Sequence, residues 1–374
     1  MTSSRLLLLA GFAASISTFR GPLIRALCDV GAEVAVGAPG VEELPKLHEE
    51  LASIGVVLHD IPLQRTGANP VADIGLLVSL YRLMRTVRPT IILPYTIKPV
   101  IYGTIAAWLA RVPRRYALVT GLGYAFTGTR QGLVTLLVRM LYRFALRRTH
   151  KVFFQNPDDE RLFRQLGLLP ANIPSVVVNG SGVDVTQFSS HPLPEGAPVF
   201  LMIARLLGDK GVREYAEAAR KVKHTNPGTV FQLVGWIDSN PDAIAQAELD
   251  GWIAEGAIDF LGRLDDVRHA VAGSSVYVLP SYREGTPRTV LEAMAMGRPI
   301  ITTDAPGCRE TVMPGENGFL VPVQSVDALA DAMLRFIQEP GLIQRMGLRS
   351  REIVEEKYDV NKVNAVMLRE MGLS

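Results

Sequence analysis

The chain has 374 residues, of which 48% are hydrophobic and 20% charged, and its net charge is +2 at pH 7. This composition is typical of a globular protein and excludes extended disorder, and the length favours two domains. No apolar run reaches the roughly 20 residues that a membrane-spanning helix needs. Cys28 and Cys308 lie far apart with no metal spacing, so we expect two free thiols in a reducing compartment.

The charge is distributed unevenly along the chain. Residues 1–186 contain 20 Lys and Arg against 12 Asp and Glu, whereas residues 187–374 contain 19 against 25. A basic first half favours an anionic partner, which is nucleic acid, a phosphorylated acceptor or an anionic membrane surface. Aromatic interleaving and nucleic-acid-binding motifs are absent, so we expect no nucleic acid partner.

The first half alternates short apolar runs with helical stretches, a pattern typical of a doubly wound parallel sheet. The predicted strands are 5–10, 31–37, 55–62, 90–94, 116–120, 151–155 and 175–179. The predicted helices are 22–30, 71–87 and 100–110. The N-terminus resembles a signal peptide, but cleavage would remove the first strand, so a buried strand is the preferred interpretation.

A stretch containing Pro and Ser, residues 183–198, coincides with the change in charge and is the predicted linker. After it the alternation resumes, and the predicted strands are 199–203, 229–235, 258–261, 275–279 and 299–303. The Asn317-Gly318 pair predicts a turn between short strands. Ser325 predicts an N-cap for a following helix.

Residues 275–303 predict a strand, a loop, a helix over about 287–296 and a second strand. Thr286 suits the N-cap, Pro287 the first helical position and Gly297 the C-terminal end. In such units ligands bind at the carboxyl ends of the strands, and a helix N-terminus attracts a diphosphate.

Two glutamates flank the start of this helix. A carboxylate beside a diphosphate is repelled, so Glu284 would face an uncharged, hydroxyl-rich group such as a sugar. Glu292, two turns into the helix, would take a second hydroxyl pair such as a ribose. The alternative is that both are solvated charges near helix ends.

A loop with two cations precedes another predicted helix. Arg205 and Lys210 follow the strand 199–203 in a Gly-containing loop, where cations and free N–H groups together suit a diphosphate. The alternative is a pair of surface charges in a turn.

The segment 279–304 resembles, nearly position by position, the E-x7-E region of the family four glycosyltransferases, which are retaining enzymes of the GT-B fold. The segment 202–213 is similar to the Arg/Lys loop of the same family. The resemblance implies an α/β protein with two Rossmann-like, doubly wound parallel-sheet domains facing across a cleft. It places an acceptor-binding domain at 1–185, a donor-binding domain at 186–350 and a helix crossing back to the first domain at 351–374.

The resemblance also implies roles for individual residues. Arg205 and Lys210 would stabilise the departing diphosphate, and Glu284 would position the hexose, as the catalytic group. The donor-binding residues would contact three parts of the nucleotide sugar. Gly262, Arg263 and Leu264 would hold the nucleotide base, and Glu292 would bind the ribose. The other donor-binding positions, in the loop and the start of the helix, would be Gly285, Thr286, Pro287, Thr289 and Val290. Gly11, Phe12 and Lys98 would belong to the acceptor-side loops.

Three further segments, 19–27, 96–99 and 119–126, resemble the branch of the family that builds bacterial capsule and O-antigen glycans. The resemblance implies transfer of a hexose, from a UDP-sugar donor, to a glycan carried on a polyprenyl diphosphate. It also implies a cytoplasmic enzyme, peripheral on the inner face of the cytoplasmic membrane. The alternatives are a nucleotide-sugar epimerase or hydrolase of the same fold, and a non-catalytic glycan-assembly subunit.

None of the six histidines falls in a metal spacing, and no Asp-x-Asp pair lies where a nucleotide-sugar metal site needs it. We therefore expect neither a metal nor a cofactor. Arg205, Lys210 and the backbone at Gly285 and Thr286 would do the work of a divalent cation.

The basic stretch 130–151 predicts a helix with Arg139, Arg143 and Arg147 in one stripe beside an apolar face. This pattern is typical of interfacial helices that contact an anionic membrane surface. The alternative is an ordinary domain helix with a core face and a solvated basic edge.

Overall fold

A computed structural model describes residues 4–64, 69–121, 132–238 and 240–373. The chain divides into two compact units, called here the first unit (Met1–Ser181 with Val363–Ser374) and the second unit (Gly182–Lys362). Within the described residues, each unit contains one parallel sheet with helices packed on it. The parallel α/β fold class predicted for both halves is confirmed.

The first unit contains a seven-stranded parallel sheet among its described residues, in the order β3-β2-β1-β4-β5-β6-β7. Its strands are β1 (Arg5–Leu9), β2 (Glu33–Ala38), β3 (Val57–Asp60), β4 (Ile91–Pro94), β5 (Arg114–Val119), β6 (Lys151–Phe154) and β7 (Ser175–Val177). The central strand β1 has no exposed surface from Leu6 to Leu9. Strands buried on both faces are near-continuous apolar runs, which is why the sequence predicts them well.

The described helices of the first unit lie on both faces of this sheet. They are α1 (Ser15–Asp29), α2 (Pro45–Ala52), α3 (Pro70–Val87), α4 (Thr104–Leu109), α5 (Leu133–Leu146) and α6 (Pro157–Gln165). Helices α1 and α2 pack with Leu6 and Leu8 in one core, whereas α3 and α4 pack with Leu7 and Leu9 in another. This division follows from right-handed crossovers on either side of β1.

The second unit contains a six-stranded parallel sheet, again among the described residues, in the order β10-β9-β8-β11-β12-β13. Its strands are β8 (Val199–Ile203), β9 (Val230–Val234), β10 (Asp259–Gly262), β11 (Val276–Leu279), β12 (Ile300–Thr303) and β13 (Gly318–Val321). The helices that follow α6 are α7 (Val212–Thr225), α8 (Gln246–Ala254), α9 (Arg268–Ala272), α10 (Arg288–Ala295), α11 (Val326–Gln338), α12 (Gly341–Ile353) and α13 (Val360–Met371).

Two helices of the first unit differ from their predicted form. Helix α1 begins at Ser15, seven residues before the predicted start, and Pro22 lies inside it. Proline is most frequent at a first helical position, but here about two further turns precede it, and they bury Ile16 and Arg20. The predicted helix 100–110 is a π-helical turn, Pro99–Gly103, followed by α4.

The turn predicted at Asn317-Gly318 is confirmed only in part, because residues 315–317 form a turn but Gly318 already lies in the strand that follows it. Asn317 is buried, its side chain bonds the backbone of Met313 and Thr311, and Gly318 begins β13, which pairs parallel with β12. Gly318 approaches the backbone so closely that an added Cβ would lie 1.9 Å from the carbonyl oxygen of Ile300. The predicted N-cap is confirmed, because the Ser325 hydroxyl accepts a hydrogen bond from the N–H of Ala328.

The chain returns to the first unit later than residue 351, the predicted start of the last helix. Residues 351–362 stay with the second unit, because Ile353, Val354 and Tyr358 are buried in its core. From residue 363 the chain belongs to the first unit, where Met367, Leu368 and Met371 of α13 join the α1 and α2 core.

No helix among the described residues is long and apolar enough to cross a membrane. Most of the segment 119–126, which the family resemblance singled out, lies outside the described residues, as does the basic residue Arg130.

Candidate active site

The candidate site lies where the strand order of the second sheet reverses. The chain runs outward from β8 to β9 and β10, then returns to β11 on the other side of β8. Ligands of open parallel sheets bind at such a switch point, beyond the carboxyl ends of the strands. The two loops that leave β8 and β11 carry Lys210 and Glu284.

Lys210 and Glu284 form an ion pair, although 74 residues separate them in the sequence. The ammonium Nζ lies 2.6 Å from Oε1 of the carboxylate, and the two side chains are only 15% and 16% exposed. Burial alone would lower the pKa of Lys210, but the charge and hydrogen bond of Glu284 outweigh burial and hold that pKa above its ordinary value. Lys210 is therefore a fixed positive charge at neutral pH.

Backbone contacts hold these two loops together. The carbonyl oxygen of Asp209 accepts hydrogen bonds from the N–H of Tyr282, at 2.9 Å, and from the hydroxyl of Ser281, at 3.2 Å. Gly211 has a φ of +73°, and an added Cβ would lie 2.2 Å from the carbonyl oxygen of Pro280. Only glycine combines this conformation with this approach.

A third loop, which follows β12, contacts the backbone of Glu284. The N–H of Glu284 donates to the carbonyl oxygen of Pro306 at 2.9 Å. Gly307, which follows Pro306, has a φ of +81°, and a Cβ added to it would lie 2.2 Å from the carbonyl oxygen of Glu284. The position of the Glu284 backbone is thus set by the loop after β12 as well as by its own.

Helix α10 begins one residue later than predicted. Pro287, not Thr286, is the N-cap, because its φ of −73° and ψ of 109° are extended while its carbonyl oxygen accepts from the N–H groups of Val290 and Leu291. Proline has no backbone N–H, and its absence breaks no helical hydrogen bond at the N-cap, as at the first helical position. The helix ends at Ala295, and Gly297 has the left-handed conformation predicted for it.

Glu292 is on the buried side of α10 and is 6% exposed. Burial raises its pKa, although Arg288 offsets part of this effect through an ion pair with 2.8 Å between Nε and Oε1. Arg288 is thus the ion-pair partner of Glu292, a role that the sequence does not indicate.

The remaining predicted donor residues of α10 and its loop differ in exposure. Thr286 and Gly285 are half-buried, whereas Val290 has no exposed surface and packs in the core. The Thr289 hydroxyl lies 3.5 Å from the carbonyl oxygen of Ile203, the last residue of β8. Helix α10 is therefore anchored against the strand that leads to Arg205.

Arg205 has a partner that the sequence did not reveal. Its guanidinium lies 2.8 Å from the carboxylate of Asp238, which follows β9. The Asp238 side chain also accepts a hydrogen bond from the backbone N–H of Asn240. The Asn240 side chain accepts one from the N–H of Asp242. The Asp242 side chain then accepts one from the N–H of Asp209. The polar residues at 238, 240 and 242 thus fix the loop that carries Lys210 through hydrogen bonds.

A second missed residue lies beside the predicted base-binding segment. Trp236 is 42% exposed, and the guanidinium carbon of Arg263 lies 5.0 Å from its ring centroid. Gly262 has a φ of +69°, and its carbonyl oxygen accepts from the N–H of Gly235, so the ends of β9 and β10 are joined here. An exposed tryptophan two residues after a mostly apolar strand is the signal that could have identified it.

The predicted acceptor-side residues belong to the first unit. Gly11 and Lys98 follow β1 and β4, which are paired neighbours. An added Cβ at Gly11 would lie 2.4 Å from the Thr96 hydroxyl, so the two loops are in contact. Phe12 is 47% exposed, and Lys98 pairs with Asp73 at 2.9 Å.

Among the described residues, no group of three or more His, Cys, Asp and Glu side chains could hold a metal ion. The expectation of a metal-independent reaction stays a prediction.

Comparison with known proteins identifies the class. The family model "Glycosyl transferase 4-like" matches residues 6–156, and "Glycosyl transferases group 1" matches residues 197–339. A Campylobacter jejuni protein, N,N'-diacetylbacillosaminyl-diphospho-undecaprenol alpha-1,3-N-acetylgalactosaminyltransferase, is 30% identical over 364 residues, 93% of each chain. An Escherichia coli protein, UDP-Gal:alpha-D-GlcNAc-diphosphoundecaprenol alpha-1,3-galactosyltransferase, is 29% identical, over 78% of this chain and 77% of its own.

Solved structures show the same fold. The HepE protein of Anabaena in complex with UDP and glucose superposes with a TM-score of 0.79 at 18% identity, covering 99% of both chains. A glycosyltransferase from Rickettsia africae also reaches 0.79, at 19% identity, covering 99% of this chain and 98% of its own. The protein is a glycosyltransferase of the GT-B fold. It belongs to the group 1, or family four, glycosyltransferases, as the resemblance in its sequence predicted.

Proposed function

We propose that this protein transfers a hexose from a UDP-sugar to a glycan carried on a polyprenyl diphosphate, with retention of the anomeric configuration, in bacterial surface polysaccharide synthesis. The observation that carries the proposal is the grouping of Lys210, Glu284 and Glu292 around the loop and first turns of α10, at the switch point of the second sheet. The printed names of both relatives support the acceptor class, because each acts on a sugar linked to undecaprenol through a diphosphate. The E. coli relative also names a UDP-sugar donor.

The donor diphosphate is proposed to lie between the cations of the β8 loop and the start of α10. The first N–H groups of a helix have no acceptor inside it, so they suit a phosphate oxygen. Lys210 has three N–H donors, and Glu284 takes one of them. A phosphate oxygen would take another.

The transfer breaks the bond between the anomeric carbon and the phosphate oxygen and forms a bond from that carbon to the acceptor hydroxyl oxygen. The hydroxyl proton passes to the departing phosphate oxygen. Negative charge grows on the diphosphate as the first bond breaks, and Lys210 and Arg205 offset it. Glu284 positions the hexose, and no general base is assigned.

The base and ribose are proposed to lie toward β9 and β10. Glu292 would accept from the ribose hydroxyls, and the segment Gly262, Arg263 and Leu264 would hold the base, with the exposed ring of Trp236 beside it.

The acceptor is proposed to use the first unit, through the loops at Gly11, Phe12 and Lys98. A lipid-linked acceptor is confined to a bilayer, so the protein would act as a peripheral protein at the inner face of the cytoplasmic membrane. The comparisons support a transferase rather than an epimerase or a non-catalytic subunit.

Donor binding is tested by thermal unfolding in the presence of UDP-, GDP- and ADP-sugars. A ligand at one hundred times its Kd stabilises the folded protein by about 2.7 kcal/mol, so the right donor should raise the Tm by several degrees. Glu292→Ala should lose most of this rise, and Glu339→Ala, which removes an exposed carboxylate of the second unit, should keep it. Each shift is taken relative to the variant's own Tm. If no nucleotide raises the Tm of the native protein, the donor site is wrongly assigned.

A further inference from the structure

Helices α3, α4 and α5 cover the same face of the first sheet, and each turns large apolar side chains away from it. These side chains, called here the outer apolar face, are each between 37% and 79% exposed. They are Val71, Ile74, Val78 and Tyr81 on α3, Trp108 and Leu109 on α4, and Leu136, Leu137, Met140 and Phe144 on α5. The buried sides of the same helices carry other residues, such as Leu80 and Tyr142, so these exposed residues are not needed for the core.

The exposed side chains of α4 and α5 form one continuous surface. The rings of Trp108 and Phe144 meet edge to face with their centroids 6.0 Å apart. The guanidinium carbon of Arg148 lies 4.3 Å from the Trp108 centroid and 3.4 Å from that of Phe144. Helix α3 packs against α4 on the other side. A contiguous apolar surface of this extent marks an interaction site in a folded protein.

The charge on the three helices that carry this face, and on the segments that join them, is almost entirely positive. Residues 70–148 contain 12 Lys and Arg and a single acidic residue, Asp73, which is paired with Lys98. The exposed basic residues on or beside the face are Arg82, Arg85, Arg88, Arg111, Arg143 and Arg147. Apolar and aromatic groups surrounded by arginine match a bilayer that contains anionic lipids. A second copy of the chain would bring like charges together, which disfavours self-association through this face.

The outer apolar face continues to the loops that we assign to the acceptor. Helix α3 follows β3 and α5 follows β5, so both begin at the carboxyl edge of the first sheet, with Val71 and Leu136 in their first turns. The π-helical turn that starts at Pro99, directly after Lys98, contacts both helices. A lipid diphosphate in a bilayer bound to this face would be close to Lys98.

We propose that the outer apolar face binds the surface of an anionic bilayer, with Trp108, Met140 and Phe144 entering the headgroup region and the arginines contacting lipid phosphates. This proposal rests on the proposed function, because it names the surface that brings the enzyme to its lipid-linked acceptor.

The test is flotation of the whole protein with vesicles of phosphatidylglycerol and phosphatidylcholine in equal amounts, without donor or acceptor. The native protein should float with these vesicles, and binding should fall with rising salt and be weak with phosphatidylcholine alone. Arg143→Glu with Arg147→Glu should weaken binding by at least about tenfold. The matched control reverses two exposed charges on the opposite face, Arg25→Glu with Lys46→Glu, and should weaken binding less than about threefold.

A second variant, Leu136→Ser with Met140→Ser, keeps the charge and changes only exposed side chains, so it should fold normally and also lose binding. If the native protein does not float, or if both charge-reversal variants lose binding equally, the inference is wrong. It is also wrong if sedimentation shows that the face joins two copies of the chain. Because the assay contains no sugar substrate, failure of the proposed transfer reaction would leave its result unchanged.

Discussion

Replacing Lys210 by alanine is expected to lower the kcat of sugar transfer by about a thousandfold. Removing one preorganised donor to a developing negative charge costs about 10²–10³ in rate, and Lys210 carries a full charge that burial keeps from solvent screening. The effect should fall on kcat more than on the KM for the donor, because charge on the diphosphate grows as its bond to the sugar breaks. Initial rates at saturating donor and acceptor provide the measurement.

Two controls separate chemistry from folding in this experiment. Lys210→Ala also leaves the Glu284 carboxylate without its partner in a largely buried place, which should destabilise the fold by about 3 kcal/mol. Rates are therefore measured well below the Tm of the variant. Lys221→Ala, which removes an exposed ammonium from α7, should keep the native rate. A Lys210→Ala enzyme that retained more than a tenth of the native kcat would contradict the assigned role.

The second prediction concerns Arg298, whose loss is expected to destabilise the second unit. Arg298 has no exposed surface, and its guanidinium donates to the carbonyl oxygens of five residues. They are Val271, Ala272, His191, Pro192 and Met296. Burial lowers the pKa of this guanidinium to about 10. The side chain joins the end of α9, the segment before β8 and the end of α10, the helix that carries Glu292.

Arg298→Ala is expected to reduce the free energy of unfolding by about 3–5 kcal/mol, since it leaves several buried carbonyl groups without donors. Arg298→Lys should recover only part of this loss, because one ammonium cannot reach five acceptors spread around a planar group. Arg345→Ala, on the exposed side of α12, should change stability by less than about 0.5 kcal/mol. Urea unfolding followed by circular dichroism measures all three, and an Arg298→Ala protein as stable as Arg345→Ala would contradict this account.

The sheet strands could be predicted from the sequence to within a few residues. β8 and β11 are short apolar runs because both faces of a parallel sheet are covered, and the loops after them follow from the alternation alone. The sequence also placed Glu284 and Lys210 each beyond the end of a strand. Their meeting at 2.6 Å depends on β8 and β11 being neighbours, and the family resemblance placed both residues at the donor without predicting this ion pair.

The errors have different physical origins, some in local backbone contacts and some in contacts between distant parts of the chain. The turn predicted at Asn317-Gly318 lies earlier, over residues 315–317, because the Asn317 side chain bonds the backbone of Met313 and Thr311, which local turn preference does not reveal. Asp238 and Trp236 were missed because their partners, Arg205 and Arg263, come from other loops of the sheet edge. The N-cap was misplaced by one residue, as helix boundaries commonly are.

The central claim is that this chain joins a sugar from a nucleotide donor to a glycan on a lipid diphosphate. The most direct measurement incubates the native protein with the UDP-sugar that stabilises it best and with a sugar linked to a polyprenyl diphosphate in anionic vesicles. NMR spectroscopy then determines the product and the configuration of its new anomeric centre. The account predicts one UDP released for each new linkage, with the anomeric configuration of the donor retained and product formation nearly abolished by Lys210→Ala. Consumption of the UDP-sugar without a new linkage, or a product of inverted configuration, would contradict it.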